Sequence, residues 1–175
     1  MLWRNGLEAV MQHARLFEHY AEHCDWMRLA IAQAQQAGEA GEVPVGAVVV
    51  GADGVCLAAT HNRRERDHDP CAHAEILALR QAGRALGQWR LEDCILYVTL
   101  EPCPMCAGAL SLARLGALVY GADDPKAGAV RTVLNLPDSA ASFHTLPVLG
   151  GILEVECRQL LQTWFLHQRE QMKER

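Results

Sequence analysis

Residues 94–100, CILYVTL, form an apolar run rich in β-branched and aromatic side chains, the composition of a strand buried on both faces. The residues that follow, EPCPMCAGALSLARLG, carry a helical pattern with prolines at the opening turn, where a missing N–H costs little. A strand passing straight into a helix is the repeating unit of an α/β sheet, and the rest of the chain keeps that alternation. PVGAVVVGADGVCLAAT (44–60) reads as two strands joined at Asp53-Gly54, the second ending near Thr60. After the charged loop HNRRERDHDP, the segment AHAEILALRQAGRALG (72–87) places Ile76, Leu77, Leu79 and Ala82 on a helical pattern that stops at glycine. ALVYGA (117–122) is a further strand, ILEVE (152–156) a weaker one, and CRQLLQTWFLHQREQMKER (157–175) a closing helix. Upstream, Leu7, Val10, Met11, Ala14, Phe17 and Ala21 recur at helical spacing over the first 22 or so residues. Asp25 then stands as the N-cap of a second helix that Gly38 closes. The pattern predicts an α/β domain with a partly parallel sheet and helices on its faces.

With 175 residues, half of them apolar, the chain can bury one proper core, and nothing divides it into two such domains. It has no apolar run of about 18 residues, the length a membrane helix needs. Its first residues lack the compact apolar core of a signal peptide, so a cytoplasmic protein is expected. Seven cysteines, an odd number scattered along the chain, point to reduced thiols rather than a disulfide framework. A formal charge of −5 argues against non-specific coating of nucleic acid, while leaving room for a local basic groove.

Cys103 and Cys106 form a C-x-x-C that fits a redox pair, half a metal site, or plain core thiols. No second C-x-x-C exists to complete a four-cysteine zinc knuckle. A thioredoxin-like pair would gain from the helix start, which lowers a thiol's pKa, but its usual aromatic neighbour and early position are absent. Among the histidines, His13, His19, His23 and His167 sit between charged residues and read as solvated helix positions. His73 differs: it opens a helix behind Pro70, with Glu75 two residues on. Helix starts lie at the carboxyl ends of sheet strands, so the start carrying His73 and the one carrying the two cysteines can face each other across one crevice. Cysteines at i and i+3 share a helix face, and the helix dipole favours thiolates there. One nitrogen and two sulfurs leave the fourth position of a tetrahedral zinc open, as in catalytic sites. Two thiolates cancel the charge of the ion, so a base beside the water is needed, and Glu75 fits; the alternative is an acid merely favourable at a helix N-terminus.

The segments HAE (73–75) and PCPMC (102–106) resemble the H-x-E…P-C-x-x-C signature of the zinc-dependent nucleobase deaminases. EVPVGAVVV, HNRRERDHDPCAHAEILALRQAG, LYVTLEPCPMCAGAL and VYGADDPKAGA, in that order, narrow the resemblance to the bacterial tRNA-specific adenosine deaminases, from about Asp25 to the last helix. That likeness implies a cytidine-deaminase-like fold of three α/β/α layers, with a central mixed sheet of about five strands flanked by helices. It implies residues 25–175 as the deaminase domain behind a helical extension over 1–24, one zinc ion per subunit, and a homodimer whose two subunits share the RNA surface. The reaction implied is hydrolytic conversion of the wobble adenosine of an arginine tRNA to inosine, with the anticodon stem-loop as partner and water as co-substrate. His73, Cys103 and Cys106 would hold the metal. Glu75 would take a proton from water and return protons to the ring nitrogen and the leaving ammonia.

The same likeness assigns substrate contacts to Asn62 and the backbone of Ala74, an apolar wall to Pro44 and Val45, and a ribose-side position to Asp124. Each has a plainer reading: a turn for Asn62, a core residue for Val45, a helix cap for Asp124. Arg63, Arg64 and Arg66 stand near Asn62 as phosphate contacts or as a solvated charge run. In two places the chain departs from the family. Where Asn-His-Arg is usual, the chain has Phe143-His144-Thr145, so only His144 matches as an RNA contact. The last helix has fewer arginines than usual but keeps Trp164 and Phe165, so weaker tRNA binding is expected. Two rival readings are a free-base deaminase acting on guanine or cytosine, and a non-catalytic zinc-binding subunit of an editing complex.

Overall fold

The structure is a computed structural model that describes residues 19–173. Five strands form one sheet in the order β2-β1-β3-β4-β5: β1 Gly46–Val50, β2 Cys56–His61, β3 Ile95–Leu100, β4 Ala117–Ala122 and β5 Val148–Gly150. β1 runs antiparallel to both β2 and β3, while β3, β4 and β5 are mutually parallel, so the sheet is mixed. Helices α1 (Tyr20–Glu39) and α5 (Glu154–Lys173) cover one face, and α3 (Ala74–Leu86) and α4 (Pro104–Leu112) the other. The short α2 (Arg64–Asp67) sits in the loop after β2.

Strand alternation divides the core in two. Ala47, Val49, Leu96, Val98, Leu118 and Tyr120 face Ala74, Ala78 and Ala82 of α3 and Ala107 and Leu110 of α4. Val48, Val50, Tyr97 and Val119 face Cys24, Met27 and Ala30 of α1 and Cys157 of α5. The expected three-layer fold and the turn at Asp53-Gly54 are both present: Gly54 has φ 74°, and Asp53 Oδ1 accepts the Val55 N–H at 3.1 Å. Helix α3 ends at Gly87, in the left-handed region with φ 66°. Small residues let α1 lie directly on the sheet. A Cβ on Gly46 would overlap the Ala30 carbonyl, so only glycine fits there.

Three expectations fail locally. Asp25 is no N-cap: α1 runs unbroken from Tyr20, and Asp25 pairs with Arg28 at 2.6 Å inside it. Burial of His23, Cys24 and Met27 on one face carries the helix through the capping signal, and it ends at Glu39, beyond Gly38. The helix expected over the first 22 residues lies mainly outside the described residues; residues 20–22 belong to α1. ILEVE is not a strand, because Gly151 (φ 91°) and Leu153 (φ 51°) turn the chain after β5 and Glu154 opens α5. His23, expected to be solvated, is buried, and its Nδ1 lies 2.9 Å from the Tyr97 hydroxyl.

Candidate active site

Strand direction decides what meets what. Because β1 is antiparallel to both its neighbours, β2 and β3 point the same way, and the helices that follow them start at the same edge of the sheet. His73 is the N-cap of α3 and Cys103 the N-cap of α4, both with extended backbone and neither spending its side chain on the cap. Pro104 occupies the first turn of α4, and Cys106 follows on the same face. His73 Nδ1 lies 3.7 Å from Cys103 Sγ and 3.4 Å from Cys106 Sγ, and the three donor atoms fall within 4.8 Å of one another.

Bonds of about 2.3 Å to sulfur and about 2.0–2.1 Å to nitrogen put tetrahedral zinc ligands about 3.6 Å apart, a value these two distances bracket. The donor set therefore fits zinc. Hydrogen bonding from Cys106, helped by His73, outweighs burial and draws the Cys103 thiol down to about 4. The bond to Cys103, burial and the Glu75 carboxyl push the Cys106 thiol up. The Cys103 sulfur, against burial, raises the His73 pKa. A cation held between Cys103 and Cys106 is what would let both sulfurs ionise.

Glu75 is the second residue of α3 and is buried, which raises its pKa against the pull of its own backbone and His73. Its Oε2 is shielded from solvent and has no hydrogen-bond partner. An orphan acceptor of this kind costs about 1–3 kcal/mol and marks a place where a ligand belongs. Asn62 ties the segment before β1 to the start of α3. Its Oδ1 accepts the Ala74 N–H at 3.0 Å, and its Nδ2 donates to the Val43 carbonyl at 3.1 Å, leaving one amide hydrogen for a ligand. The Ala74 carbonyl accepts the Thr60 hydroxyl at 2.8 Å, so both backbone groups of Ala74 already have partners. Pro44 and Val45 are buried at the start of β1, between the ends of β2 and β3. Asp124, after β4, accepts the N–H groups of Lys126 and Ala127 at 2.9 and 3.2 Å, the capping arrangement.

The model of the MafB19-like deaminase family matches residues 21–165. A tRNA-specific adenosine deaminase of Bacillus subtilis is 47% identical over 148 residues, covering 85% of this chain and 91% of that protein. The protein of the same name from Agrobacterium fabrum is 46% identical, covering 85% and 97%. This chain belongs to the tRNA-specific adenosine deaminase family. A solved structure of a tRNA:A34 deaminase superposes with TM-score 0.76 at 47% identity, over 78% of this chain and 99% of that one. A guanine deaminase from Bacillus subtilis superposes less well, at TM-score 0.55 and 37% identity, over 70% and 81%.

Two residues of this family member went unassigned at the level of sequence. Glu101, at the end of β3, is buried and accepts the Val130, Arg131 and Thr132 N–H groups at Oε1 and the Asp124 N–H and Thr132 hydroxyl at Oε2. Burial opposes its ionisation, but the bonds from Thr132, Asp124 and Arg131 prevail and hold its pKa below the usual carboxylate range. Gly128 must be glycine, since a Cβ would overlap the Glu101 carboxylate. The Ala129 N–H also donates to the Pro102 carbonyl at 2.9 Å, locking the 124–132 loop beside Cys103. Glu42 is buried too and accepts the Arg66 N–H at 2.9 Å, tying α2 to the start of β1. The available signal was an acid in an otherwise apolar stretch: Glu101 between Leu100 and Pro102, and Glu42 ahead of VPVGAVVV.

His144 is not brought to this cluster. Its Nε2 lies 2.6 Å from the Leu115 carbonyl, beyond the C-terminal end of α4, whose nine residues set that end about 14 Å from the cysteine end. Beside it runs a groove of about 460 Å3 lined by Trp89, Leu112, Leu136 and Phe143. Trp89, Leu112 and Phe143 are 61%, 72% and 84% exposed, a larger apolar surface than isolated side chains produce.

Proposed function

We propose that the protein deaminates the wobble adenosine of tRNA, with an arginine tRNA as the substrate, by zinc-dependent hydrolysis. The observation that carries this reading is the buried Glu75 Oε2, without a partner, behind the cluster of His73, Cys103 and Cys106. Zinc held by those three residues would supply Lewis-acid activation of water. Glu75 accepts the proton of the attacking water and delivers it to the purine ring nitrogen. It then takes the remaining proton of the added hydroxyl and passes it to the amino group, which leaves as ammonia as the C–N bond breaks, while the ring keeps the water's oxygen as its carbonyl. Burial suits Glu75 to both directions of transfer, because a raised pKa brings the carboxyl nearer to neutral pH.

In the same reading, Asn62 uses its remaining amide hydrogen on the flipped base, the backbone of Ala74 lines its edge, and Pro44 and Val45 pack against its face. Asp124 lies toward a neighbouring ribose. The protein acts as a cytoplasmic homodimer, residues 25–175 being the deaminase domain and 1–24 an extension. The exposed Trp89, Leu112 and Phe143 are the surface that a second copy covers, and His144 contacts RNA bound in the partner's site.

The test is incubation of the purified protein with an anticodon stem-loop bearing adenosine at the wobble position, and separately with guanine and cytosine. Inosine in the stem-loop is the expected product. Ammonia from free bases alone would move the assignment to a free-base deaminase, consistent with the weaker likeness to guanine deaminase.

A further inference from the structure

A second groove, of about 430 Å3, opens along the exposed edge of the sheet between α1, β2 and α3. Gln33, Thr60, His61, Arg63, Arg80 and Arg84 are among its lining residues, and no carboxylate is. The three arginines are only partly neutralised. Arg63 pairs with Asp67 at 2.9 Å, yet its Nε is shielded from solvent without a partner. Arg80 is 4.0 Å from Asp69, and Arg84 has no ion-pair partner among the described residues. Arg80 and Arg84 are four residues apart on α3 and so stack on one helix face. The positive field is felt locally: burial, then Arg63 and Arg66, lower the pKa of His61.

The position of the groove gives it a direction. Arg63 adjoins Asn62, which is bonded to Ala74 at the mouth of the active site. From there α3 leads away along Arg80 and Arg84, so the guanidinium groups form a line that starts at the site. In a chain of net negative charge, this groove is lined by three arginines and by no carboxylate.

We propose that this groove binds the phosphodiester backbone of the substrate RNA as the strand leaves the active site, an inference that rests on the RNA substrate proposed above. Arginine forks suit consecutive phosphate oxygens, and contacts to phosphates position a strand without reading its sequence. The groove therefore adds affinity rather than selectivity.

The experiment compares the zinc-loaded protein with its Arg80→Gln/Arg84→Gln variant in binding an anticodon stem-loop across a series of salt concentrations. The expected result is a salt slope shallower by about two and an affinity at low salt reduced at least about tenfold. Turnover at saturating RNA and zinc content should match the parent, which a misfolded variant would not do. Equal slopes and equal affinities would overturn the proposal. Wild-type protein that binds the stem-loop with the steeper slope but forms no inosine would sink the deaminase reading and leave the groove standing. Inosine formation with identical binding by the two proteins would do the reverse.

Discussion

Glu75 and Glu101 are both buried carboxyl groups, and what separates them is the number of donors each one meets. Glu101 has five donors around it; Glu75 has an oxygen with none. Replacing Glu75 by alanine should leave about one zinc per chain and lower inosine formation by about 10²–10⁴-fold, the contribution of a positioned acid and base. Metal analysis beside a single-turnover assay checks this, and undiminished turnover would refute the role. Glu101→Gln turns one acceptor into a donor that faces N–H groups, so it should cost about 2–4 kcal/mol in a urea unfolding experiment. A loss below about 0.5 kcal/mol would show that the loop holds without the carboxylate. The grouping of His73, Cys103 and Cys106, with Glu75 close by on α3, was legible in the sequence because a candidate donor set has characteristic residue types and spacing. Glu101 was not, since a structural acid is defined by the donors that surround it, and those come from residues 124–132, more than twenty positions away.

At the scale of elements, close packing depends on what is missing from a side chain. Gly46→Ala would drive a methyl group into the Ala30 carbonyl and push α1 off the sheet, with an expected loss of about 1–3 kcal/mol seen as a lower Tm. An unchanged Tm would mean that α1 can shift freely. The end of β2 adds a pH effect. His61 donates from Nδ1 to Gln33 Oε1 at 3.2 Å, and burial with Arg63 and Arg66 lowers its folded pKa below the unfolded value of about 6.5. The neutral ring is therefore favoured in the fold; its stabilisation is present above about pH 6.5 and is lost as pH falls through the lowered pKa. His61→Gln should flatten the Tm profile between about pH 7 and pH 5. Parallel profiles for the two proteins would contradict this. Strand and helix types were readable from their periods, whereas element ends were not: Asp25 looked like a cap, but burial of the turn before it prolonged α1.

For the molecule as a whole, the apolar groove beside α4 and the exposed Phe143 call for a partner surface. Leu112→Asp should convert the proposed dimer to monomer in sedimentation, with zinc content retained, because it places a charge in that surface and is remote from the ligands. A parent protein that sediments as a monomer would remove the basis for assigning His144 to a partner's site.

The sequence alone determined the α/β alternation, the zinc-type donor set and the acid beside it, because periodicity and residue chemistry are local properties. Only the tertiary structure decided that His73 and Cys103 meet. One strand running antiparallel between β2 and β3 turns both helix starts to the same edge of the sheet. It also decided that Glu101 fixes the 124–132 loop and that His144 lies away from the cluster. Those outcomes depend on strand order and direction, which are set by how two apolar faces are buried together and are written in no single stretch of the chain.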